Sequence, residues 1–183
     1  MWSISMSSAP EPTPPWVRID ETSLMQGDVL EKCLVPMLGA DFGISESVRG
    51  IPSFEYDIVV LSQSCDLEKG VLRVVATCPF FPIERYEEFH PEFRKRKRWN
   101  EVRKGRIEGL HLLPSPEDPE NNLQALVVDF HEVYSLPYDY LIRRAAEIGC
   151  RWRLCSPYLE HLSQAFGRFF MRVGLPSNIP DYS

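Results

Sequence analysis

Residues 57–79, DIVVLSQSCDLEKGVLRVVATCP, constrain the fold more than any other stretch. Two runs rich in β-branched residues, Ile58–Leu61 and Val71–Thr77, suit a pleated and buried surface. Between them Glu68-Lys69-Gly70 reads as a polar turn, and Gly70 can take the positive φ of a tight hairpin. The pattern predicts a β-hairpin at the centre of a small barrel. Just past the first strand, Ser62-Gln63-Ser64-Cys65-Asp66 gathers hydroxyl, thiol and carboxyl groups.

The rest of the chain supplies a sheet and its cover. With 183 residues, 44% of them hydrophobic, one domain with a sizeable core is the natural count. Residues 1–18 are Pro- and Ser-rich at their start and read as a tail, because proline lacks a backbone donor. Residues 19–176 form the domain, and 177–183 a second tail. Gly27-Asp28-Val29-Leu30 opens the first strand, which is interrupted near Pro36. Gly39 to Pro52 reads as a long loop. Leu110–Leu113 and Ala125–Phe130 are further strands, the second continuing towards Tyr134. Tyr138–Ile148 is a helix stopped by Gly149, and Arg151–Leu154 an edge strand. The final helix has Ser156 as its cap and Pro157 at its first position. Tyr158, Leu159, Leu162, Phe166, Phe169, Phe170 and Val173 make its apolar face, and Gly174 ends it. The class is mainly β with helices (α+β).

Residues 82–109 are a different material. Ile83–Phe89 predicts a short helical turn, and Pro91 opens a charged helix anchored sparsely by Phe93, Trp99 and Val102. Over residues 91–106 stand eight basic residues, Arg94, Lys95, Arg96, Lys97, Arg98, Arg103, Lys104 and Arg106, against Glu92 and Glu101. That surplus of six sits in a chain of net charge −6, so the remainder carries −12. Such an asymmetry points to a nucleic-acid surface, single-stranded RNA or DNA, with Trp99 as a base-stacking platform. The competing readings are an acidic protein partner and a helix face that is solvated or neutralised by the acidic remainder of the chain.

Other chemistries find less support. Five cysteines at irregular spacing, without a CxxC pair, do not make a finger-type zinc site or a disulfide framework. His90, His111, His131 and His161 form no HxxxH or HExxH pattern, so no metal and no cofactor are expected. The beginning of the chain lacks a signal-peptide pattern, and no apolar run approaches the roughly 20 residues of a membrane span. The expectation is a cytoplasmic protein with no membrane contact. Cys65 and Asp66 make one candidate site, with His111 or His131 as a base brought near by folding. In the alternative, Asp66 caps the turn while Ser62 and Ser64 bond the backbone.

The order of these pieces resembles the MazF/PemK toxin family. Gly27-Asp28-Val29-Leu30 is similar to that family's GD-hydrophobic start, Val59-Val60-Leu61-Ser62 to its second strand, and Lys69-Gly70-Val71-Leu72 with Cys78-Pro79 to its turn and third strand. Val127–Val133 resembles a later strand. The resemblance implies an SH3-like barrel closed by a C-terminal helix, and cleavage of single-stranded RNA without a metal. It also implies a toxin–antitoxin or phage-defence setting, with an antitoxin-like protein partner or a larger assembly. Family members are commonly homodimers. The family's Arg-Pro pair before the second strand is replaced here by Tyr56-Asp57, and its Thr or Ser after the third strand by Phe80-Phe81-Pro82. An aspartate repels a phosphate where an arginine would stabilise it. Three functions follow: a binding component without the usual site, a diverged ribonuclease using Arg49, Ser62 or His131, and a Cys65-dependent enzyme.

Overall fold

The computed structural model describes residues 13–39 and 51–171. Arg49, most of the 39–52 loop, Val173 and Gly174 lie outside the described residues. The fold is α+β. A mostly antiparallel sheet of β2 (Val29–Pro36), β3 (Ser53–Val60), β4 (Val74–Pro82), β5 (Leu110–Leu113), β6 (Leu126–Asp129) and β7 (Tyr134–Pro137) carries most of the core. A two-stranded ladder of β1 (Trp16–Ile19) and β8 (Arg151–Leu154) stands beside it, joined by an Asp28–Arg153 bridge. Among the described residues five α-helices complete it: α1 (Ser64–Glu68), α2 (Ile83–Phe89), α3 (Arg96–Arg103), α4 (Tyr138–Ile148) and α5 (Tyr158–Phe170).

The β4 strand organises the sheet. One edge pairs with β3, from Val60↔Thr77 to Ile58↔Pro79. The other pairs first with β7, Val74↔Pro137 to Thr77↔Tyr134, then with β6, Phe80↔Val128 to Pro82↔Leu126. Cys78-Pro79 falls between those two ladders, where a residue without an N–H is tolerated. No ladder joins β5 to β1. Trp16 closes that side instead: its indole N–H donates to the Pro114 carbonyl at 2.9 Å, and it shares a core with Leu113 and Leu126.

Several expectations are corrected. The β3–β4 hairpin exists, but α1 interrupts its connection, so the link is no tight turn. Ser62 Oγ accepts from the Ala76 N–H at 2.9 Å and Ser64 Oγ from the Gln26 N–H at 3.1 Å, which folds the polar stretch onto the sheet. Gly70, at φ +62, follows the end of α1, and the second strand starts at Val74 rather than at the exposed Val71. The predicted tail ends early. Trp16 begins a strand, and the Pro15 carbonyl accepts from the Cys155 N–H at 2.8 Å, a role that needs no donor on Pro15. The strand through Asp129 does not run on to Tyr134; a turn closes with Glu132 N–H on the Asp129 carbonyl, and β7 pairs separately with β4. At α5 it is Pro157, not Ser156, that takes the capping position, with no side-chain cap bond.

The Gly27-Asp28 corner has a structural task. Gly27 has φ +84, and a Cβ there would stand 2.9 Å from Leu159 Cδ1. Asp28 is fully buried and accepts from the guanidinium groups of both Arg151 and Arg153. Removing one partner of such a buried pair costs about 3–5 kcal/mol, because it leaves charge unmatched in the core.

Candidate nucleic-acid interface

The basic segment is an arm with its own small core. Residues Pro91–Arg94 form a 3-10 turn, Lys95 is extended, and α3 follows. The single helix expected from Pro91 is therefore broken at Lys95. On a continuous helix Phe93 and Trp99, six residues apart, would face different sides. The break lets both rings pack on Tyr86, 5.5 and 5.8 Å away, and on each other at 4.9 Å. Val102, Ile83, Leu110 and Val127 complete that cluster. Trp99 also donates its indole N–H to Glu87 at 2.7 Å. Its ring anchors the arm and does not stand out as the stacking platform expected of it.

Anchoring the apolar residues turns the cations outward. All eight basic residues of the arm are exposed. Glu101 neutralises two of them, Arg106 at 3.0 Å and Lys104 at 3.7 Å, and Arg98 lies over the Phe93 ring at 4.9 Å. Arg94, Lys95, Arg96, Lys97 and Arg103 have no ion-pair partner among the described residues.

The C-terminal end of the arm forms the lip of a cavity of about 310 Å³ between α3, β5 and α5. Arg103 and Lys104 line one side; His161 and Arg168 line the other, two turns apart on one face of α5. His111 sits deeper, its ring stacked on Phe130 at 6.5 Å between centroids. Burial, helped by the charges of His161 and Arg168, pushes the His111 imidazole down to about 4, so it is neutral at pH 7. Glu108 is the acidic residue among the described residues of the lining.

At the cavity's edge stands an ordered imidazole. His131 Nδ1 lies 2.6 Å from Asp129 Oδ1, which also accepts the His131 backbone N–H at 3.0 Å. A carboxylate only accepts, so Nδ1 carries the proton, and in the neutral ring Nε2 is then the acceptor. Tyr86 donates its hydroxyl to Asp129 Oδ2 at 2.9 Å. Burial and the Asp129 charge raise the Tyr86 phenol, which keeps it a donor. The His131 side chain is 60% exposed. Two cavity-lining residues hold it: Phe169 edge-on at 4.9 Å, and Gly109, at φ +85, where a Cβ would meet His131 Cε1 at 2.2 Å. Nearby Glu132 is raised by burial and by the Asp129 charge.

The other candidates scatter. Cys65 is exposed, and its thiol faces Gln63 Oε1 at 3.7 Å and Asp66 Oδ1 at 3.8 Å. No histidine is among its bonding partners. Ser62 serves the backbone, and Asp66 stands beside Cys65 without reaching His111 or His131. Sequence reasoning missed Asp129, Tyr86, Gly109, His161 and Arg168 as members of one site. The His161, Gln164, Ala165, Arg168 spacing, a single helical stripe, was the available signal; Asp129 beside His131 at a strand end was another.

The positions where a ribonuclease site was expected lie elsewhere, in a second concavity of about 400 Å³. Asp57, Phe80 and Pro82 line it with Glu31, Glu84, Glu117, Trp16 and Trp152, and among the described residues no basic one takes part. Asp57 has a local duty: Oδ1 accepts the Lys32 N–H at 2.8 Å, at the bulge where Lys32 takes φ +52. The chain matches no family model, no curated protein and no solved structure. Among the described residues no helix is long and apolar enough to cross a membrane.

Proposed function

We propose that this protein binds single-stranded nucleic acid through the arm and the cationic cavity at its end. The observation that carries the reading is that Arg103 lines one cavity with Arg168, His161 and Phe169, at the end of an arm whose exposed Arg94, Lys95, Arg96 and Lys97 have no ion-pair partner among the described residues. Exposed cations left unpaired beside an acidic body attract a polyanion and release its counterions on binding. The acidic concavity at Asp57 repels the same ligand. The order of strands, with β4 bent between two ladders and α5 packed over one core, supports placing the fold among diverged SH3-like, MazF-like barrels. On that resemblance we propose a toxin–antitoxin or phage-defence setting, with the protein as a binding component.

The test is fluorescence anisotropy with a labelled single-stranded 12-mer RNA. Replacing Arg94, Lys95, Arg96 and Lys97 together by Glu is expected to weaken binding at least 100-fold while the circular dichroism spectrum is unchanged. Undiminished affinity refutes the reading.

The Tyr86–Asp129–His131 chain favours a second reading, cleavage of the bound RNA. A ribose 2′-hydroxyl would lose its proton to His131 Nε2 and attack the adjacent phosphorus; the 5′-oxygen would leave, taking a proton from solvent or from the imidazolium. Incubation with mixed-sequence RNA in EDTA checks this. Cleavage lost in His131→Gln and reduced 10-fold or more in Asp129→Asn supports it, a range general-base catalysis commonly supplies; intact RNA with wild-type protein excludes it.

A further inference from the structure

We infer that the cavity between α3, β5 and α5 is a mononucleotide site, taking one nucleoside monophosphate as a unit. It deepens the nucleic-acid reading and rests on it for the source of the ligand. At about 310 Å³ the cavity lies at the small end of ligand pockets, room for one nucleotide and not for a strand. Its two kinds of wall match the two parts of that ligand. Arg168 and His161 from α5 and Arg103 from the arm line the cavity from its two sides and suit a phosphate held between them, to which a guanidinium donates two parallel bonds. Phe169 and Ile107 give an apolar wall for a base.

The polar inventory of the cavity supports the assignment. Arg168 has, within the described protein, only a long bond from Nε to the Gln164 carbonyl, 3.5 Å, so its guanidinium is available. Arg103 has no ion-pair partner among the described residues. His111 is neutral and half-sheltered at the floor, where one ring nitrogen can donate and the other accept, as the edge of a base or a ribose hydroxyl requires. Glu108 also lines the cavity.

Isothermal titration with AMP and UMP, with adenosine and inorganic phosphate as controls, tests the site. The inference expects each monophosphate to bind at least 10-fold tighter than either control. Arg168→Glu and His161→Gln should each weaken it 5-fold or more, with unchanged melting. Imidazole NMR signals of His111 and His161 should shift on titration. Monophosphates that bind no better than inorganic phosphate, or Arg168→Glu with full affinity, overturn it. The arm variant with Arg94, Lys95, Arg96 and Lys97 reversed separates the two readings. Retained AMP binding with lost 12-mer binding upholds both, whereas 12-mer binding without AMP binding removes this inference alone. A 5′-phosphorylated 12-mer that binds tighter than its 5′-hydroxyl counterpart assigns the site to strand ends; equal affinity assigns it to free nucleotide.

Discussion

Two concavities of similar size carry opposite charge. The one between α3, β5 and α5 is ringed by arginine, lysine and histidine; the one beside Asp57 and Phe80 is ringed by four carboxylates and two tryptophans. The acidic one occupies the positions where a MazF-like chain is expected to handle RNA. The cationic one is built from an inserted arm and one helix face. Position in a fold therefore says less about a ligand than the charge that local side chains leave unpaired. The same contrast runs through the arginines. Arg151 and Arg153 are consumed by Asp28, whereas Arg94, Arg96 and Arg103 are exposed and have no ion-pair partner among the described residues.

The largest break comes from the buried half of that contrast. Asp28→Ala is expected to destabilise the protein by about 3–5 kcal/mol in urea unfolding, since the buried Arg151 guanidinium loses its counter-charge and Arg153 keeps only the exposed Glu21. Reversing the four arm cations should change stability by less than about 0.5 kcal/mol, as expected of exposed, unpaired residues. Equal losses would mean that the arm is structural.

His111 gives the next largest effect. Its folded-state value of about 4 lies below the usual 6.5, so between those pH values the unfolded chain takes up a proton that the native protein refuses. Stability is undiminished by this group above pH 6.5 and falls as pH drops towards 4, by roughly 3 kcal/mol over the window. His161, Arg168 and Glu108 face the same cavity and modulate it. Urea midpoints from pH 7.5 to 4.5 should show the slope in wild type and a flatter one in His111→Gln; parallel profiles would contradict the burial of a neutral imidazole.

Smaller effects sharpen the comparison. Glu31→Gln with Glu84→Gln neutralises half of the acidic rim and should leave 12-mer RNA affinity within about twofold, since the pair lies outside the proposed interface and long-range charge is screened in salt. A 10-fold gain would move the interface towards the acidic concavity. Cys65→Ala should be the quietest change, within about 0.5 kcal/mol in stability and silent in RNA binding.

Much of the fold was legible because its signals were local. Tyr138–Ile148 and Gly149 behave as their pattern dictates, with Gly149 at φ +67, and Arg151–Leu154 is an edge strand. Trp16 was illegible because only its partner, the Pro114 carbonyl 98 residues away, makes it core. The Ser62–Asp66 run drew attention by composition, yet its serines are spent on backbone N–H groups. Asp129 and His131 drew less, because Tyr86, which orients the pair, is 43 residues distant. The arm's charge was plain in sequence; that Trp99 anchors it, and that it ends on α5, required the tertiary fold.

The central claim is that unpaired arm cations bind a polyanion. The most direct measurement is the slope of log binding constant against log salt for single-stranded RNA. Five cations without an ion-pair partner among the described residues predict a wild-type slope of about −3.5, at roughly −0.7 per neutralised phosphate, and about −0.7 once Arg94, Lys95, Arg96 and Lys97 are reversed. A wild-type slope near zero, or one that survives the reversal, would contradict it.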